Sequence, residues 1–231
     1  MIRSLTGTSL IEYPGKLSSI IFISGCNLQC PYCHNPELVR PDMLDKEFRL
    51  THEEVIKELI TREGFIEAVT VTGGEPLLYS GIVDLVQSIK TGTDLLVKVD
   101  TNGTLPQCMK DVLRFADYVA MDLKSSPSKY LKATGGQAAF SDVRESIDII
   151  MTQPDYEFRT TMVPGIVDRD DVIELLQEVG IVRRYVLQNF HSKKTLSAEF
   201  RDMPTYPKGY LEDTASIIKK MNLAEEVTIR L

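Results

Sequence analysis

A chain of 231 residues with 43% hydrophobic content can fill a substantial core without disulfides, and a net charge of -7 with a pI near 5.1 excludes a broad basic surface for nucleic acid. Apolar runs such as SSIIFIS and LLVKVD fall well short of the roughly 18–20 residues that span a bilayer, and the opening MIRSLTGTSLIEYPGK lacks the basic-then-apolar layout of a secretory signal. The expectation is a cytoplasmic protein with no membrane span and no nucleic-acid partner, acting on small molecules or on other proteins.

Short β-rich segments alternate with helical patterns along the chain. Strands are expected near 18–24, 66–72, 95–100, 117–122, 156–163 and 184–189. Thr51 with Glu54 forms a capping box that starts a helix. Apolar residues at 82, 83, 85, 86 and 89, and again at Val172, Ile173, Leu175, Leu176 and Val179, give two helices one buried face each. Cys108 falls in a helix after TLPQ, where a buried structural thiol is the expected role. The final VTIRL at 227–231 reads either as a closing or edge strand or as a tail. No repeat, linker or low-complexity stretch marks a boundary, so a single domain over 1–231 is expected. Strands alternating with amphipathic helices imply right-handed crossovers and a parallel sheet, and six units fall short of the eight of a full barrel. The expected fold class is α/β, a partial (β/α)6 TIM-like barrel.

The strongest chemical signal follows the first of these strands: GCNLQCPYCHN places Cys26, Cys30 and Cys33 in a C-x3-C-x2-C spacing. With four cysteines in the chain, that spacing arises by chance on the order of one time in a thousand. Cysteines this close cannot be stapled pairwise without strain, and in a reducing compartment the clustering points to metal. Thiolates suit iron-sulfur clusters or zinc, but a closed zinc site wants four ligands and three thiolates leave one position open. His34 is the alternative fourth ligand, awkwardly placed beside Cys33.

At the end of the next strand, VTGGEP carries Gly73 and Gly74, which let backbone approach closely, and Glu75, an acceptor for an ammonium group. Alone, the same residues read as a strand-to-helix turn in which Pro76 starts the helix. Later strand ends deliver DTNG at 100–103, MDLK at 121–124, FRTTMVPG at 158–165 and LQNFH at 187–191. Each segment alone reads as a turn or a solvated charge. Together they mark the C-terminal strand ends as the functional face.

On these residues the chain resembles the radical S-adenosylmethionine (SAM) superfamily, whose cysteine motif carries an aromatic before the last cysteine, as Tyr32 stands here. The resemblance implies an oxidoreductase with a 4Fe-4S cluster on Cys26, Cys30 and Cys33, its fourth iron chelated by the amino and carboxylate groups of SAM. Reductive cleavage of SAM then gives methionine and a 5'-deoxyadenosyl radical. Gly73, Gly74 and Glu75 match the motif for the SAM amino group. Asp122, Lys124, Arg159 and His191 match SAM contacts, Lys124 pairing with the carboxylate and His191 lying near the adenine. Asp100, Thr101, Met121 and Asp122 match a monovalent-cation site.

The resemblance runs from TSLIEYPGKL to RRYVLQNF and is strongest to the long form of anaerobic ribonucleoside-triphosphate reductase activating proteins, with pyruvate formate-lyase activating enzymes as near relatives. It implies hydrogen abstraction from a glycine α-carbon of a partner, a glycyl radical enzyme, with a flavodoxin- or ferredoxin-type reductant. YPGKL departs from the Asp-Gly-Pro-Gly-type segment of the formate-lyase activases, which ranks that partner second, with another glycyl radical enzyme as a further alternative. No further cysteine cluster follows Cys33, as auxiliary ferredoxin-like clusters would require. A radical SAM enzyme acting on a small metabolite and a non-catalytic iron-sulfur or zinc protein stand as alternatives.

Overall fold

The computed structural model describes residues 1–39 and 49–231. The chain divides into two compact units interleaved along the sequence, one of residues 1–27, 37–101 and 105–120, the other of residues 28–36, 102–104 and 121–231.

The first unit contains β1 (Ile2–Tyr13), β2 (Lys16–Ile23), β3 (Ala68–Gly73), β4 (Leu96–Thr101) and the start of β5 (Tyr118–Asp122). Its helices are α1 (Pro36–Val39), all but the first residue, α2 (His52–Arg62), α3 (Ile82–Gly92) and α4 (Pro106–Val112). β1 and β2 form an antiparallel hairpin with Tyr13 opposite Lys16. Only Gly15 takes the left-handed conformation the two-residue turn needs, with φ of 69°. β2, β3 and β4 then pair in parallel and in chain order, Ile23 opposite Gly73 and Val71 opposite Val99. One face of β3 and β4 carries Val69, Val71, Val97 and Val99, all fully buried, while the other carries Thr70, Thr72, Lys98 and Asp100. The period of two in a strand separates the sets. α2 begins at the expected capping box, the Thr51 hydroxyl accepting from the Glu54 amide while the Glu54 carboxylate accepts from the Thr51 amide at 2.7 Å. α3 buries Ile82, Leu85, Val86 and Ile89, the stripe its spacing requires.

The second unit contains β6 (Tyr156–Met162), β7 (Val182–Asn189), β8 (Ala224–Arg230) and the last residues of β5, with α5 (Tyr130–Ala133), α6 (Phe140–Met151), α7 (Arg169–Val179) and α8 (Lys208–Lys220). β6, β7 and β8 are parallel and adjacent, with Arg159 opposite Val186 and Gln188 opposite Arg230. α7 buries Val172, Leu175, Leu176 and Val179, and its cap Asp168 accepts from the amides of Asp170 and Asp171.

All six expected strands are present as β2 to β7. β1 was not expected, and the terminal VTIRL resolves as a strand that begins at Ala224 because α8 returns the chain alongside β7. No helix among the described residues is long and apolar enough to cross a membrane.

Candidate functional site

In the first unit the loop after β2 is fixed at its base by VTGGEP. The Gly74 amide donates to Ile23 O at 2.9 Å and the Glu75 amide to Gly25 O at 2.8 Å, so the backbone entering Cys26 is bonded to the end of β3. A Cβ on Gly73 would lie 2.0 Å from Ile23 O, and one on Gly74 would lie 2.1 Å from Gly25 O and 3.2 Å from the Cys26 Cβ. The two glycines are thus dictated by the close approach of the cysteine-bearing backbone. Glu75 is fully buried and its Oε1 accepts from the Leu77 amide at 3.1 Å and the Thr101 hydroxyl at 2.9 Å. By capping Leu77 it turns Pro76–Leu78 into one 3-10 turn, ahead of the α3 helix at Ile82 where the apolar spacing places it.

Asp100, also buried, has its charge met by the protein itself. Lys98 Nζ, only 1% exposed, lies 2.5 Å from Asp100 Oδ1, and the Thr72 hydroxyl donates to Oδ2 at 3.1 Å. Cys108 stands on α4 and is half-buried rather than buried, because its position lies beside, not on, the stripe of Met109 and Val112. Burial, then the charges of Glu75 and Asp111, push its thiol upward, which disfavours it as a thiolate ligand.

In the second unit Cys30 is buried and Cys33 half-buried, and the Cys33 amide donates to Cys30 O at 3.0 Å. The loop is anchored on either side of Cys30: the Gln29 amide donates to Thr134 O at 3.2 Å, and the Ser197 amide donates to Pro31 O at 2.9 Å. A Cβ on Gly135 would meet Gln29 O at 2.2 Å. Tyr32, 6% exposed, directs its hydroxyl toward Lys124 O at 3.4 Å. Burial first, then the Cys30 charge, raises its pKa well above the usual range, so it stays neutral. Met121 packs against Gly103, where a Cβ would lie 1.9 Å from the Met121 Cε.

Asp122 sits between two cations. Arg159 Nε donates to its Oδ1 at 2.6 Å and Lys124 Nζ to its Oδ2 at 3.1 Å. Burial opposes its ionisation, but Arg159 and then Lys124 outweigh burial and hold the carboxyl well below the usual range. Burial likewise opposes the Lys124 charge, and Asp122, Cys30 and Tyr32 more than offset it, keeping the ammonium protonated. The chain of charges continues from Arg159 to Glu157 at 3.9 Å and on to Arg230 Nη2, which donates to both Glu157 oxygens at 3.0 and 3.1 Å. His191 is exposed, two residues beyond β7. His34 is exposed too, its Nε2 lying 3.3 Å from Asn35 Nδ2.

Sequence reasoning missed Lys98, Gln29, Thr134, Gly135, Ser197, Glu157 and Arg230. Of these, only the TGG at 134–136 carries a local signal, a glycine pair following a short helix.

The donor set fits a 4Fe-4S cluster: three thiols on one loop, none in a disulfide. No group of three or more His, Cys, Asp or Glu side chains among the described residues gathers around one metal-sized point. The thiolates of a 4Fe-4S cluster each bond a different iron and need no such convergence.

Comparison with known proteins places these features in context. The sequence profile described as the Radical SAM superfamily matches residues 20–179. A candidate glycyl-radical enzyme activating enzyme of Methanocaldococcus jannaschii is 30% identical over 227 residues, covering 95% of this chain and 92% of that one. The pyruvate formate-lyase-activating enzyme of Clostridium pasteurianum is 25% identical over 238 residues, covering 95% and 97%. Among solved structures, Streptococcus suis SuiB shares the fold with a TM-score of 0.67 at 14% identity over 92% of this chain; the chain spans 48% of that protein's length. The cysteine spacing, the α/β fold of parallel strand-helix units and the profile match agree, and the chain belongs to the radical SAM superfamily of enzymes, whose members use a 4Fe-4S cluster and SAM.

Proposed function

We propose that the chain is an activating enzyme that installs a glycyl radical on a partner, anaerobic ribonucleoside-triphosphate reductase, drawing its electron from a flavodoxin- or ferredoxin-type donor. The observation that carries this reading is similarity to activating enzymes over 95% of the chain, beyond the matched superfamily region. Bound together, the cluster and SAM supply the one-electron cleavage that yields the 5'-deoxyadenosyl radical.

In this reading Cys26, Cys30 and Cys33 hold the cluster, and the Gly73–Gly74 approach fixes the loop that presents them. Glu75, buried and aligned by two donors, accepts the SAM amino group. Lys124 binds the SAM carboxylate while Asp122 and Arg159 hold it in place. His191 serves at the adenine. Tyr32 contributes its burial, joining the cysteine loop to the backbone of Lys124. The segment YPGK is a tight hairpin turn here.

The test is to mix the anaerobically reconstituted protein, SAM and a one-electron reductant with candidate glycyl radical enzymes from the same source. Electron paramagnetic resonance then reads the glycyl doublet. A doublet on the reductase supports the assignment. A doublet only on a formate-lyase-type partner overturns the choice of partner, and brisk 5'-deoxyadenosine formation with no protein radical favours a small-metabolite substrate.

A further inference from the structure

We propose that the ammonium of Lys98 is the resident counter-ion of Asp100, so that the enzyme works without a free monovalent cation at that residue. The inference rests on the radical SAM reading only for the reason a cation would be sought there. Its support lies wholly within the first unit.

Lys98 and Asp100 are two residues apart on β4 and therefore share a face. Thr70 stands opposite Lys98 in the β3–β4 register, and Thr72 donates its hydroxyl to Asp100 Oδ2. Lys98 is 1% exposed, Thr70 0% and Asp100 7%, so this face is closed to bulk water. A carboxylate so buried requires compensation. Nζ at 2.5 Å from Oδ1 supplies it from the chain itself, with no ion to capture or dehydrate. The Thr70 hydroxyl is fully buried and has no hydrogen-bond partner among the described residues. It marks a polar position next to the ammonium that the present contacts leave unused. Without the ammonium, the Asp100 carboxylate and the Thr72 and Thr70 hydroxyls would offer three hard oxygen donors on one face, a set that suits an alkali cation. Lys98 acts here as a positioning residue: it orients the carboxylate that opens the DTNG turn.

Lys98→Met keeps most of the side-chain volume and removes the charge. Thermal unfolding of the cluster-free protein is compared in choline, sodium, potassium and ammonium chlorides at equal ionic strength. The wild type should have the same midpoint in all four, whereas Lys98→Met should unfold earlier in choline and recover saturably in at least one small cation. In the reconstituted enzyme, wild-type SAM affinity should change less than about twofold between choline and potassium, while Lys98→Met should bind about tenfold more weakly in choline than in its rescuing cation. Should Lys98→Met fail to fold in choline, the neutral pair Lys98→Met with Asp100→Asn should fold and respond to no cation. Saturable dependence of the wild type on sodium or potassium overturns the proposal, as does a Lys98→Met protein indifferent to every cation or a response from the neutral pair. The midpoints involve no cluster or SAM, so a failure to cleave SAM would count against the functional reading and leave this result intact.

Discussion

Gly74→Ala is the sharpest probe of how the fold presents its cysteines. The added methyl would sit 2.1 Å from Gly25 O and 3.2 Å from the Cys26 Cβ. Reaching even 3.0 Å from the carbonyl needs a shift of about 0.9 Å, and the obstacle is backbone, which has no rotamer to yield. Such a shift would stretch the Glu75 amide bond to Gly25 O from 2.8 Å to about 3.7 Å, past hydrogen-bonding range. Overpacking costs about 1–3 kcal/mol and the lost bond about 1 kcal/mol, so roughly 2–4 kcal/mol in all. In a chain of this size, that lowers the melting midpoint by roughly 5–15 °C. Gly92→Ala is the control: its nearest neighbour is Ile56 Cγ2 at 3.6 Å, an ordinary contact near the end of α3, so it should be neutral or stabilise by up to about 1 kcal/mol. The assay is thermal and denaturant unfolding of the cluster-free protein, followed by iron content after reconstitution. A Gly74→Ala protein as stable as Gly92→Ala, with full iron loading, would refute the reasoning.

Two further outcomes follow from the same geometry. Cys26→Ala, Cys30→Ala and Cys33→Ala should each abolish cluster assembly and SAM cleavage while Cys108→Ala leaves about four irons per chain, as measured by iron analysis and 5'-deoxyadenosine formation; loss of iron in the Cys108 variant alone would reverse the ligand assignment. Because the Asp122 carboxyl is held below its unfolded value, its stabilising contribution is complete above about pH 4 and is lost as pH falls further toward its folded pKa. Asp122→Asn should therefore flatten the acid limb of the stability curve and cost roughly 2–4 kcal/mol at neutral pH, less than a fully buried pair because the side chain is 30% exposed. An unchanged acid limb would refute that account.

What the sequence made legible follows from what is local. β2 to β7 are short apolar or β-branched runs bounded by loop residues, and the cysteines and VTGGEP announce themselves by spacing within a few positions. β1 escaped because Ser, Thr and Gly break its apolar alternation, and much of it is only partly covered beside β2. The role of Lys98 was hidden for a different reason. Lysine in a strand reads as a solvated charge, and only the register that sets β4 against Thr70 and Thr72 shows it buried on Asp100. The anchors of the cysteine loop at Thr134 and Ser197 lie more than a hundred residues from it, and backbone hydrogen bonds leave no trace in residue type. Arg230 was invisible as a partner of Glu157 while the terminal segment could be either strand or tail.

The charge chain of the second unit leads to a prediction about SAM itself. Lys124, Asp122, Arg159, Glu157 and Arg230 alternate in sign, three cations to two anions. Lys124 ends the row, bonded on one side to Asp122 and only 19% exposed. A carboxylate arriving at Lys124 would complete the alternation and meet an ammonium that is already protonated and already oriented. Such a charge-assisted contact is worth about 1.5–3 kcal/mol, or roughly ten- to a hundredfold in affinity. Lys124→Ala should therefore weaken SAM binding by that factor while leaving iron content unchanged. Decarboxylated SAM supplies the other half of the cycle: it loses both the Lys124 contact and the carboxylate's bond to iron, so the preference for SAM over it should shrink in Lys124→Ala by the same roughly ten- to hundredfold. Calorimetry on the reconstituted proteins gives all four affinities. If the preference for SAM over its decarboxylated form were as large in the variant as in the wild type, Lys124 would not hold the carboxylate, and the open end of this row would need another explanation.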